Sequence, residues 1–426
     1  MKHTFSRICA TLLLGASLAA SAQQTPKEPK VLFIGIDGVR FDVLGNGNTP
    51  TIDSLMNIGL FTKDSWHCGI TMSGPSWSNM MTGVWEQKHK ITNNNYTNAD
   101  FTNFPYFPKR AKECRPDLKA VQIITWDPMN DPTNSNNPAG YVTNSGFDQS
   151  IDAGTYGQGA VTAAAKLQLN DPNLDVLFIH YDEVDAAGHG SGFNPTNPAY
   201  VNAIKGVDAE IKEVLAKLYS RPNLAQEDWI VMLTTDHGGL GNSHGGNSIT
   251  ERHIWWIACG ENIPHLEITG PDPGSYQMPS NPVDPAKLKN TPVLPDIAVT
   301  ALGHLLKYNT CDPETNPDWK LDGKSWVSKA QLPSYVESVS NPAVEFGVFP
   351  NPNNGAFKTA FRNTRGQVNF RIVNGAGQVI VSQTATPDAG GNLIQSFDLS
   401  AMPNGMYYLS VDNNGKQTTC KIVINK

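Results

Sequence analysis

Val31-Leu32-Phe33-Ile34-Gly35-Ile36-Asp37-Gly38 is the stretch that decides the fold class. Its first six residues are apolar without interruption, the pattern of a strand covered on both faces rather than one with a wet side. An aspartate and a glycine then end the run. Ala120–Thr125, Asp175–Ile179, Trp229–Thr234 and Ile254–Ala258 repeat the pattern. Amphipathic segments lie between these runs. Tyr200–Tyr219 is the clearest, with Val201, Ile204, Val207, Ile211, Leu215 and Leu218 at helical spacing, and Thr51–Ile58 and Asp296–Leu306 are others. This alternation, from about residue 30 to 332, predicts an α/β domain with a mainly parallel sheet flanked by helices. Ligands of such sheets gather beyond the carboxyl ends of the strands, so the polar residues that follow each run are where chemistry is expected.

The flanks read differently. Residues 1–22 carry Lys2 and Arg7 before an apolar run, Ile8–Ala20, and close on Ala20-Ser21-Ala22, the pattern of a cleaved signal peptide. The run is shorter than the roughly 20 residues of a spanning helix, and no later stretch qualifies, so no transmembrane segment is expected in the mature chain. From 345 to 426, short alternating strands (Gln367–Val373, Gln378–Gln383, Gly405–Val411, Gln417–Val423) separated by Gly, Asn, Pro and Asp predict a small antiparallel β-sandwich, with 333–344 as linker. The whole chain, at 39% hydrophobic and 17% charged, is that of a globular protein, and its formal net charge of −7 argues against a general nucleic-acid binder. Cys68, Cys114, Cys259, Cys311 and Cys420 remain after the signal; an exported chain permits a disulfide, Cys68–Cys114 being a candidate pair, and no C-x-x-C motif suggests a thiolate metal site.

Four polar clusters follow the strand-like runs. Asp37-Gly38 presents a carboxylate where the backbone can turn, although such a residue also serves as a turn cap. Thr71-Met72-Ser73-Gly74-Pro75-Ser76-Trp77-Ser78-Asn79 reads as a loop that delivers the Ser73 hydroxyl to a helix start, where free N–H groups favour a phosphate. Asp185 and His189 stand four apart, with Gly188 between them, and Asp182 and Glu183 lie just before. Asp236-His237-Gly238-Gly239, with His244 shortly after, is the most specific signal in the chain. Carboxylate oxygens and imidazole nitrogens are zinc ligands, so the set supplies two adjacent three-ligand sites with the Ser73 oxygen available to one. Asn93–Asn98 and Asn134–Asn137 read as polar loops.

In this order the clusters resemble the alkaline phosphatase superfamily, and in particular its type I phosphodiesterase/nucleotide pyrophosphatase branch, over roughly residues 30–310. The resemblance implies two divalent metal ions, zinc, one held by Asp37, Ser73, Asp236 and His237 and the other by Asp185, His189 and His244. It implies a small phosphate-ester substrate, in-line attack by Ser73 and a phospho-serine intermediate, with non-bridging oxygens held by the amides after Ser73 and by Asn79. Nucleic acid is expected only as a possible substrate. The pattern departs from the branch in Ser73-Gly74-Pro75-Ser76, where Thr, an aromatic and Pro-Asn are usual; the phosphate-contacting Asn aligns with Ser76, which makes Asn79 its candidate replacement. A phosphomonoesterase is the alternative. A sulfatase is the nearest rival, because Ser73-Gly74-Pro75-Ser76-Trp77 is similar to the sulfatase signature with Trp77 in place of Arg, and a non-catalytic surface protein is a further one. Val348-Phe349-Pro350-Asn351-Pro352 and Leu399–Tyr407 resemble the C-terminal sorting domain of type IX secretion in Bacteroidetes. That implies the type IX machinery as partner and a secreted or cell-surface destination.

Overall fold

The structure, a computed structural model, describes residues 27–45, 47–130, 144–154, 157–261, 263–274, 284–327, 346–349, 353–361, 366–374, 378–388, 393–413 and 416–426. The expected signal peptide (1–22), the linker (333–344) and the Asn134–Asn137 loop lie outside the described residues. No described helix is long and apolar enough to cross a membrane.

One sheet organises the first unit. Its strands are β1 (Glu28–Ile36), β2 (Leu60–Trp66), β3 (Lys119–Ile124), β4 (Gln149–Asp152), β5 (Leu174–Tyr181), β6 (Glu227–Thr235), β7 (His253–Cys259) and β8 (Leu266–Glu267). The helices are α1 (Pro50–Met56), α2 (Ser73–Thr82), α3 (Glu86–His89), α4 (Phe107–Cys114), α5 (Gln158–Gln168), α6 (Glu183–Ser191), α7 (Pro198–Tyr219), α8 (Ile249–Arg252), α9 (Pro285–Leu288) and α10 (Asp296–Leu305). The strand order is β4-β3-β5-β1-β6-β7-β2-β8. β4, β3, β5, β1 and β6 run parallel, whereas β7 is antiparallel to both β6 and β2. The mainly parallel expectation therefore meets a reversal at β7.

Both faces of the sheet are covered, as the continuous apolar runs require. Along β1, Val31 and Phe33 enter one core while Leu32, Ile34 and Ile36 enter the other. The first core takes residues of α2, α4 and α10; the second takes those of α1, α5 and α7. The disulfide joins Cys114 to Cys311, not Cys68 to Cys114. Cys114 ends α4, which packs on α10, and Cys311 lies just beyond α10, so their Cα atoms stand 6.4 Å apart. Cys68 is fully buried in the first core and stays a thiol.

The C-terminal residues form two further sheets, from β9 (Phe346–Phe349), β10 (Ala356–Phe361), β11 (Val368–Asn374), β12 (Val379–Ala385), β13 (Leu393–Asp398), β14 (Gly405–Asn413) and β15 (Lys416–Ile424). Their orders are β13-β10-β9 and β12-β11-β14-β15, with antiparallel pairing throughout. Val368, Phe370 and Ile372 alternate inward along β11 and share a core with Phe357 and Phe397 of the smaller sheet. The sequence marks four of these strands; β9, β10 and β13 lack a long enough alternation.

Candidate metal centre

Strand register builds the site. Ile36 of β1 pairs with Tyr181 of β5 on one side and Thr235 of β6 on the other. Asp37, Asp182 and Asp236 therefore leave the sheet at one level. The Asp37 N–H still donates to Tyr181 O at 2.8 Å. Beyond β5, α6 begins at once and carries Asp185 and His189 on one face. Gly38 has φ +72°, and a Cβ there would lie 2.8 Å from the Cα and Oδ1 of Asp185. Only glycine permits that approach of two ligand-bearing segments.

Two groups of donors result. In the first, His237 Nε2 lies 3.1 Å from Asp236 Oδ2, 3.5 Å from Asp37 Oδ1 and 3.3 Å from Ser73 Oγ. In the second, His189 Nε2 lies 3.2 Å from Asp185 Oδ2 and 3.1 Å from His244 Nε2, and His244 Nε2 is 3.6 Å from Asp185 Oδ1. The His237 and His244 rings stack at 3.7 Å and join the groups. The first group is buried, whereas the His189 side chain is 45% exposed.

The three site histidines are oriented alike. The Nδ1 atoms of His237, His189 and His244 lie 2.8, 2.9 and 2.8 Å from the backbone oxygens of Gly238, Asn242 and Thr71. A carbonyl only accepts, so each Nδ1 is a donor and each Nε2 is the ring nitrogen that faces the other donor groups, offering a lone pair whenever its ring is neutral. The carboxylates are prepared in the same sense. Asp236 Oδ1 accepts from the Gly38 and His237 N–H groups, and its Oδ2 has no partner. Asp37 Oδ1 and Asp185 Oδ1 are also buried without a partner. Lone pairs and orphaned oxygens facing one another repel unless protons or cations lie between them, and this O,N set suits zinc.

The titration behaviour has the same origin. Burial and the Asp37 charge push the Asp236 carboxyl well up, and burial with Asp37 also raises Asp185. Asp37 is held low: burial opposes this, but hydrogen bonds and charge from His180 and His237 outweigh it. The hydrogen bond to Asp185 raises His189 to about 9, whereas burial lowers His244 to about 4 and also lowers His237.

Residues 31–251 match the type I phosphodiesterase / nucleotide pyrophosphatase family. The chain belongs to that family. This phosphodiesterase-family chain is 22% identical over 225 residues to bis(5'-adenosyl)-triphosphatase ENPP4 of Bos taurus, covering 49% of its own length and 47% of the relative. It is 24% identical over 267 residues to ectonucleotide pyrophosphatase/phosphodiesterase family member 7 of Mus musculus, covering 59% of each. It thus spans about half the length of the curated relatives it matches. Residues 347–425 match the secretion system C-terminal sorting domain, which points to export. Among solved structures, a 2-O GAG sulfatase is similar with a TM-score of 0.53 at 14% identity, covering 87% of this chain and 85% of that one. A candidate sulfatase of Bacteroides thetaiotaomicron gives 0.52 at 13%, covering 92% and 85%. These structures speak for the fold.

Two expected substrate contacts of this family member lie elsewhere. Ser76 and Asn79 are fully buried inside α2. Ser76 Oγ donates to Met72 O and accepts from His67 Nε2, whose Nδ1 accepts from the Gly69 N–H. Asn79 Oδ1 faces His89 Nε2, and its amide donates to Glu86. Nor are the amides after Ser73 open: Pro75 has none, the Ser76 N–H bonds Met72 O, and the Gly74 N–H donates to Asn94 Oδ1 at 2.9 Å. Asn94 sits beside the nucleophile loop, yet sequence reading marks it only as part of a polar loop. Trp77 and His180 were also missed; their N–H groups reach Asp37 Oδ2 at 3.0 and 3.3 Å.

Proposed function

We propose that the chain is an exported phosphate-ester hydrolase of phosphodiesterase/nucleotide pyrophosphatase type, with Ser73 as nucleophile and two zinc ions as cofactors. One observation carries this reading: the Ser73 hydroxyl stands in the same group as the orphaned oxygens of Asp37 and Asp236. Asp37, Asp236, His237 and Ser73 would hold one ion and Asp185, His189 and His244 the other. Bound ions supply a lowered pKa for coordinated oxygen and screen charge on the phosphoryl group. The names of the relatives favour nucleotide diesters and anhydrides as the substrate class.

The chain's own residues set the geometry of attack. Ser73 is the first residue of α2 and is 5% exposed, so its Oγ is aimed by the helix rather than free to turn. Attack of Ser73 Oγ at phosphorus would form a phospho-serine as the bond to the leaving oxygen breaks and the hydroxyl proton passes to that oxygen or to solvent. Water would then cleave the phospho-serine, releasing the phosphate product and restoring the Ser73 hydroxyl. Asn94 Oδ1 is occupied by the Gly74 N–H, which leaves its Nδ2 hydrogens as donors toward a phosphoryl oxygen. The α2 dipole favours the same charge. Residues 30–332 would form the catalytic unit, 333–344 the linker and 345–426 the sorting domain, which presents the chain to the type IX machinery.

The test uses the mature chain loaded with zinc, assayed on bis-p-nitrophenyl phosphate, p-nitrophenyl phosphate and p-nitrophenyl sulfate. Diester turnover is expected to dominate and to vanish in Ser73→Ala. Asn94→Ala is expected to lower kcat by about 10²–10³, the usual loss for one oxyanion donor. A preference for monoester or sulfate would overturn the diester reading, and turnover that survives Ser73→Ala would overturn the nucleophile.

A further inference from the structure

Asp37 is gripped from behind by two donors. Trp77 Nε1 donates to Asp37 Oδ2 at 3.0 Å, and His180 Nε2 meets the same oxygen at 3.3 Å. Oδ1 is left facing His237 Nε2 with no partner of its own. All three side chains are buried. The indole has a seat made for it: a Cβ on Gly35 of β1 would lie 2.3 Å from Trp77 Cη2, so this strand position must stay bare. His180 meets the indole edge-on, with centroids 4.9 Å apart and planes at 82°. Its Nδ1 lies 3.2 Å from Thr125 Oγ1 at the end of β3. Trp77 follows Ser73 on α2 by four residues, so one short helix carries both the nucleophile and a grip on a candidate metal ligand.

We propose that Trp77 and His180 are positioning residues for the buried metal group, locking Asp37 so that only Oδ1 is presented to the ion and coupling that carboxylate to Ser73 through α2. The inference rests on the metal-centre reading above. A carboxylate with one oxygen shared by two N–H donors cannot rotate to bidentate binding without breaking both. The donors also draw negative charge toward Oδ2. Oδ1 is then a weaker neutraliser, and more positive charge stays available to the Ser73 oxygen. Outer partners of this kind set ligand orientation and metal affinity.

Trp77→Phe keeps a ring in the Gly35 seat and removes only the N–H, and His180→Gln keeps a polar side chain of lesser reach. Metal-free mature protein would be titrated with cobalt(II), read by its visible absorption, and with zinc against a chelator. In each variant one of two sites is expected to weaken by about 10–100-fold. The cobalt bands of that site should shift, and kcat should fall while KM holds. Two ions bound at wild-type affinity with an unchanged cobalt spectrum would overturn the proposal, as would a lowered Tm that leaves affinity and spectrum untouched. If Trp77→Phe does not fold, His180→Gln decides on the same readouts. A wild-type chain that binds no metal would sink the metal-centre reading itself, whereas normal wild-type binding with unaltered variants sinks only the positioning role.

Discussion

Glu86 is fully buried beneath the loop that leads to Ser73, its Oε1 accepting from the Ile70 N–H and the Asn79 amide while Oε2 has no partner. Burial pushes its carboxyl from 4.5 up to about 7. Between these values the folded chain holds a proton that the unfolded chain has lost. The stability this provides is present below pH 4.5 and is lost as pH rises through 7. Glu86→Gln imitates the protonated group. It is expected to match wild type at pH 4.5 and to exceed it at pH 8 by on the order of 3 kcal/mol, by urea unfolding of both proteins. An unchanged difference between the two pH values would remove this account. At this scale the sequence is uneven. Asp37, Asp236 and His237 are legible as Asp or His just before Gly after strand-like runs, Asp185 and His189 by their spacing of four, and His244 by its place shortly after the Asp-His pair. Ser76 and Asn79 mislead because a local motif says nothing of His67, His89 and Glu86, which absorb their side chains. Asn94 is reached across 20 residues by a hydrogen bond that no spacing rule marks.

Helix α1 shows how elements hold one another in place. Its N-cap, Thr49, makes no side-chain capping bond. Asp208 of α7 does so instead, accepting from the Thr51 N–H at 3.0 and 3.1 Å and the Ile52 N–H at 2.9 Å while 2% exposed. Asp208→Ala would leave these amides unpaired and is expected to cost about 1–3 kcal/mol. Asp208→Asn should recover part of it; a loss below about 0.5 kcal/mol in urea unfolding would show that the cap is dispensable. Elements with one dominant period were legible: the parallel strands as unbroken apolar runs, α7 as a stripe. β2 was not, because Thr62, Lys63, Asp64 and Ser65 interrupt it. The direction of β7 was hidden for a different reason. Parallel return needs a crossover, but the chain between β6 and β7 is the ligand-bearing loop with one short helix, α8, and comes back from the same end of the sheet. The segment that supplies His237 and His244 thereby forces the antiparallel turn.

On the scale of the molecule, the sheet unit has two cores and the C-terminal sheets a third of their own. The sequence predicts such a division from its change of texture near residue 340, which lies outside the described residues. The covalent tie within the sheet unit was less legible, since five cysteines allow many pairings and only the packing of α4 on α10 selects one. Cys114–Cys311 closes a loop with a sequence separation of 197. Chain-entropy reasoning gives about 5 kcal/mol for such a loop, against about 2–4 kcal/mol for typical measured bridges. Such a bond suits a chain exported to an oxidising compartment, as the sorting-domain match suggests. Cys311→Ser is therefore expected to lower stability by about 2–5 kcal/mol in urea unfolding. Neither cysteine lies on an element that carries a candidate ligand, so the folded variant should still take up zinc with wild-type stoichiometry. Both outcomes are needed. A variant as stable as wild type would make the bridge incidental, and a stable variant that lost zinc would mean the α4–α10 face transmits to the strand ends through α2, which packs on α10 and starts at Ser73.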